Sequence, residues 1–147
     1  MRIFVLIIVT LFGTGIDHQE IPQQSDEQII LEVLKKQTEC WNKGDIDCFM
    51  QSYWKSEKMM FIGKNGITHG WDQTLNNYKT RYPNRQTMGV LKFEILETEK
   101  ISIEAYLIVG KFHLTRDVEI GDAEGYFSLF FKKIEGEWFI VADHTST

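Results

Sequence analysis

From residue 88 to residue 144 the hydrophobic period of this chain is two, and that stretch constrains everything else. Runs at 88–97, 99–114, 124–134 and 137–144 read as strands, separated by charged or glycine-bearing turns. Glu135-Gly136 makes a tight reversal into the last run. Several runs are apolar on both faces. In 101–113 the odd positions include Ile101, Ile103, Ala105, Leu107 and Val109, while the even positions carry Tyr106, Ile108 and Phe112. A sheet loaded on both sides needs two covers.

Helices upstream can supply one cover. Ser25 to Gln28 forms a capping box, and Ile29, Ile30, Val33, Leu34 and Trp41 follow at helical spacing, predicting a helix to about residue 42. Gly44 turns the chain and Asp45 caps a second helix, DIDCFMQSYW, with Phe49 and Tyr53 on one face. EKMMFIG is a short strand, and Asn65-Gly66 is a strong hairpin signal. GWDQTLNNYKTRY is a third helix whose apolar face runs through Trp71, Leu75, Tyr78 and Tyr82, ending at Pro83. Three helices followed by a strand meander predict an α+β domain: one antiparallel sheet packed against three N-terminal helices. A second subunit on the free sheet face is the economical source of the other cover, so a homodimer through the sheet is expected.

The chain of 147 residues fits one domain with a substantial core. A net charge of −5 with no basic stripe argues against nucleic acid or an anionic membrane surface as partner. The opening MRIFVLIIVTLFGTG has the size and order of a secretory signal and is too short to span a bilayer comfortably. The expected division is a signal over 1–15, a leader over 16–24 and the domain over 25–147. An exported domain, periplasmic or extracellular, without stable membrane insertion is therefore expected; the competing reading of the opening is a hydrophobic N-terminal strand or core segment. Cys40 and Cys48 flank the first helix–helix turn. They can pair there, or serve as two buried small hydrophobes.

No nucleotide-binding loop, no H-E-x-x-H and no G-x-S-x-G is present, so no cofactor is expected. His69, His113 and His144 lack metal-ligand spacing, and no metal is assigned. The last strand ends in polar residues, EWFIVADHTST. If it stays regular, Trp138, Ile140, Ala142 and His144 share one face, and Phe139, Val141 and Asp143 the other. Asp143 and His144 then cannot form a dyad; Asp143 goes to the sheet rim or a subunit contact. His144 stands at the mouth of any cavity as a candidate acid or base. Tyr53, Trp54, Tyr78 and Tyr106 are the candidate aromatic lining, with His144 beside them.

The strings WNKGDIDCFMQSYW, FIGKNGITHGWDQTLNNYKTRYP and GYFSLFFKKIEGEWFIVADHTS, with Gly110 in LIVGKF, carry a resemblance over about residues 25–146. The chain resembles the nuclear transport factor 2-like, or SnoaL-like, superfamily, and within it bacterial proteins related to the association domain of calcium/calmodulin-dependent kinase. The resemblance implies a curved sheet wrapped on three helices as a cone with an internal pocket, commonly dimeric through the sheet. It matches Asn42, Gly44 and Asp45 to the first helix turn, Tyr53 and Trp54 to the end of the second helix, Trp138 to the last strand's buried tryptophan, and His144 with Ser146 to its closing His-x-Ser. Members include isomerases, dehydratases and polyketide cyclases as well as ligand-binding and assembly domains. This chain departs from the steroid isomerase pattern, since no central-strand Asp stands where that enzyme's general base belongs. Three readings follow: a domain binding a small apolar ligand, a lyase or isomerase using His144 with a pocket tyrosine, and a non-catalytic assembly domain.

Overall fold

The computed structural model describes residues 24–146; the expected signal and all but the last residue of the leader lie outside the described residues. Helix α1 spans Asp26–Asn42 and opens on the expected capping box, Ser25 accepting from the Gln28 amide at 3.2 Å and Gln28 accepting from the Ser25 amide at 3.0 Å. Helix α2 is shorter than expected, Ile46–Met50, capped by Asp45. It stops because the backbone beyond it is taken by the sheet: Ile140 donates to the Ser52 carbonyl and Trp54 donates to the Ile140 carbonyl, each at 2.9 Å. Cys40 and Cys48 form a disulfide across the α1–α2 turn, which decides between the two readings of that pair.

Strands β1 (Met60–Gly63) and β2 (Gly66–His69) make the hairpin at Asn65-Gly66, where Gly66 has φ 100°. Helices α3 (Trp71–Arg81) and α4 (Arg85–Met88) follow; α4 takes in Met88, where the alternating pattern predicts the first strand to begin. The meander is β3 (Val90–Ser102), β4 (Ala105–Thr115), β5 (Ala123–Ile134) and β6 (Glu137–Ser146). The six strands lie in the order β2-β1-β6-β5-β4-β3 as an open sheet, antiparallel except where β1 runs parallel to β6. That one parallel pair departs from the all-antiparallel expectation. The long connection from β1 through α3 and α4 to the meander makes it possible.

Helices and the inner sheet face enclose one core, including Ile30, Leu34, Met50, Ile108, Phe131 and Ile140. Polar clamps hold the helices on it. Asn42 pairs with Leu91 like an added strand, donating to its carbonyl at 3.0 Å and accepting from its amide at 2.7 Å. The indoles of Trp41, Trp71 and Trp138 donate to the Met88 carbonyl, the Met50 carbonyl and the Asp26 carboxylate. Each is a wide apolar plate whose single donor is satisfied. Strand β3 carries a bulge at Leu96, between Ile95 and Glu97.

Gly110, in β4, faces the core where a Cβ would collide with the Phe127 ring and sit 2.6 Å from the Glu94 carbonyl oxygen. Its function is close approach. Gly110→Val is expected to destabilise the fold by about 2 kcal/mol or more through overpacking, read as a lower urea midpoint at unchanged m-value. A variant as stable as the parent would refute this account of Gly110.

Candidate functional site

The site depends on one irregularity. Phe130 pairs with Ala142 but Phe131 pairs with Ile140, so Val141 is an extra residue in β6. A bulge of this kind shifts the alternation of side chains by one. Trp138 and Ile140 point into the core before it, and Asp143 and Thr145 take the inner side after it. His144 is turned to the outer face, exposed and paired across the ladder with Ser128. The expected places of Asp143 and His144 are thus exchanged. His144 does not line the cavity, and Asp143 is neither at the rim nor exposed.

Asp143 is 3 % exposed. Its Oδ2 accepts from the Tyr53 hydroxyl at 2.7 Å and its Oδ1 from the Thr145 hydroxyl at 2.7 Å. Burial raises the pKa of this carboxyl above the ordinary range, opposed by the two hydroxyl donors and by His144. The hydroxyls of Tyr53 and Tyr78 are pushed well above the ordinary tyrosine range, first by burial and then by the charge of Asp143. Both tyrosines therefore remain protonated donors at neutral pH. Tyr78 belongs to an aromatic wall, with its ring centroid 5.2 Å from that of Phe49, 5.8 Å from Phe61 and 6.1 Å from Trp41.

These groups face a cavity of about 790 Å³ that opens to solvent between α3, the β1–β2 turn and the start of the meander. That volume lies in the range of small-molecule sites. Phe93, Phe112, Phe127, Leu91 and Leu129 supply its apolar sheet-side lining. Gln37, 1 % exposed, also lines it, and its Nε2 has no hydrogen-bond partner among the described residues. A buried amide donor without a partner is costly, so this atom marks where an acceptor belongs.

Of the residues singled out from sequence, Tyr53 and Tyr78 meet at the cavity, while Trp54, Tyr106 and His144 do not line it. Trp54 follows Tyr53 in an extended segment, so the two side chains leave on opposite sides. Tyr106 is buried against Trp138 instead, their centroids 5.3 Å apart. Gln37 is not among the residues singled out from sequence, although it carries a signal: it falls with Ile30, Leu34 and Trp41 on the buried stripe of α1, a polar residue at an apolar position. Among the described residues no three His, Cys, Asp or Glu side chains come together as a metal set.

The raised carboxyl pKa of Asp143 fixes the sign of a pH effect. The folded state holds this proton to higher pH than the unfolded chain does. Its contribution therefore falls as pH rises from the unfolded value near 3.8 through the folded value, then stays level. Asp143→Asn is expected to flatten that segment of the unfolding free energy plotted against pH, measured in urea. Superimposable curves for the two proteins would disprove the assignment.

No protein-family model and no curated protein matches the chain. An NTF-2-like protein of unknown function from Shewanella oneidensis MR-1 is 39% identical, with a TM-score of 0.80, over 84% of this chain and 100% of that one. A ketosteroid isomerase-like protein from Erwinia carotovora atroseptica SCRI1043 is 15% identical at a TM-score of 0.62, over 80% of this chain and 92% of that one. A protein resembling the calcium/calmodulin dependent protein kinase II association domain, from Xanthomonas campestris, is 15% identical at a TM-score of 0.64, over 87% and 91%. The last two share the fold alone. The identity and full coverage of the first place this chain in the NTF2-like family.

Proposed function

We propose that this chain binds a small ligand with a largely apolar body in the cavity between sheet and helices. The observation that carries the reading is that the Asp143–Tyr53 pair and the unpartnered Gln37 amide all line this one cavity. Polar groups that sparse within an aromatic surround orient a ligand without dominating its binding. An assembly-only domain has no need of such a void, and the open interior counts against that reading.

A second reading, proton transfer on the bound ligand, is favoured by one observation. Asp143 is a buried carboxyl with a raised pKa, next to a protonated tyrosine, and such a pair can take and return a proton. His144, which faces away, has no part in it. The ketone 2-decanone tests both readings. It is expected to bind, with Tyr53→Phe and Gln37→Leu each weakening binding by about fivefold. Affinity unchanged in both variants would remove the polar wall from the site. In deuterium oxide the proton-transfer reading expects label at the α-carbons, lost in Asp143→Asn; no wash-in with the parent protein leaves a binding protein only.

The expected homodimer and export accompany this reading. On the outer sheet face Leu107, Val109, Phe130 and Val141 lie together, with Phe130 37% and Tyr126 54% exposed. An apolar sheet face of this kind supports self-association. The apolar opening segment and the Cys40–Cys48 disulfide support an oxidising, exported location. Chain recovered from the periplasm or medium is expected to lack its opening segment by mass and to sediment as a dimer, with Phe130→Glu monomeric. Unprocessed, monomeric chain would overturn both.

A further inference from the structure

The charges around the cavity run against the charge of the chain as a whole, which is −5. Its lining includes Lys64 in the β1–β2 turn, Arg81 at the end of α3 and Arg116 just beyond β4. Among the described residues the only carboxylate in the lining is the buried Asp143. None of the three cations forms an ion pair among the described residues. The β4–β5 loop has carboxylates of its own, Asp117, Glu119 and Asp122, and all three stay outside the lining. Asp122 is turned away, accepting from the Arg116 backbone amide at 2.9 Å and lying 3.2 Å from the His113 ring.

The two guanidinium groups are positioned without being neutralised. Arg81 lies over the Tyr82 ring, 5.6 Å from its centroid. Arg116 donates its Nε to the Gly121 carbonyl at 2.7 Å, and its stem packs over Gly89, where a Cβ would collide with it. A guanidinium held this way presents its terminal N–H groups as a fork that fits a carboxylate.

We infer that the ligand is an amphipathic carboxylate, bound with its anionic head at this cationic mouth and its apolar body in the aromatic interior. The inference rests on the ligand-binding reading above. Asp143 sets the orientation: a head driven inward would meet the buried acid and leave the three cations unpaired, whereas a head at the mouth faces Arg81, Arg116 and Lys64. The interior then receives the part of the molecule that water rejects, along Phe61, Phe93, Phe112 and Phe127.

Calorimetric titration with decanoate and with the neutral decan-1-ol separates this from cavity binding as such. Decanoate is expected to bind at least about tenfold more tightly. The gap should close with added salt and in the Arg81→Gln/Arg116→Gln double variant, which leaves decan-1-ol binding unchanged. Lys64→Gln, on an exposed turn, should narrow the gap by about threefold. Equal affinity for the two probes, or a preference for decanoate indifferent to salt, would overturn the anionic head while the cavity reading stands. If neither probe binds, both fall.

Discussion

The backbone of Ile140 holds this molecule together, because it serves two partners within one buried strand. On one side it belongs to the β5 ladder, across from Phe131. On the other its N–H and C=O are both taken by the segment after α2, at Ser52 and Trp54. Two residues later that same side of β6 is taken over by β1, beginning at Ala142. A buried strand cannot leave such groups unpaired. Val141 lies at the changeover, and its extra length lets the strand pass from one neighbour to the next.

The chemistry of the site follows from that handover. Because α2 ends at Met50 and the chain straightens against β6, Tyr53 is carried to the inner face. Because β6 gains a residue, Asp143 arrives on the same face, 2.7 Å from the tyrosine oxygen. Neither event alone makes the pair. The α1–α2 corner, tied by Cys40–Cys48, then sets Trp41 and Phe49 around it. Burial weakens the charged form of the carboxyl while two hydroxyls support it, and burial prevails, so its pKa is raised.

The chain announces its fold openly and its site poorly. Ser25 with Gln28, Asp45, and Asn65-Gly66 are short-range signals with a local mechanism, and each acts in the structure as its chemistry dictates. The four long strands are legible too, since their period needs no partner to be seen, but the turn between the first two lies at Ile103-Glu104 and not at Thr98, so residues 99–102 belong to β3. The end of β6 is different. Phe139, Ile140, Val141 and Ala142 are apolar in succession, so no polar residue records on which side the alternation slips. In a regular strand the alternation puts His144 and Asp143 on the opposite faces from those they occupy; one inserted residue exchanges them. The bulge answers to hydrogen-bond partners nearly ninety residues away in sequence, Ser52 and Trp54, and no window around Val141 contains them. Helix α2 stops short of its apolar pattern for the same reason.

The second bulge, at Leu96, has a consequence for the molecule in company. β3 ends the sheet with thirteen residues, a length at which an unpaired edge can recruit a strand from another molecule. Asn42 occupies that edge only at Leu91. Beyond it the strand is interrupted by the extra residue and studded with Glu94, Glu97, Glu99 and Lys100. An incoming strand would find its hydrogen-bond register broken midway and fixed charges to bury on either side. The same irregularity that looks like a lapse in the pairing therefore protects the domain from ordered aggregation.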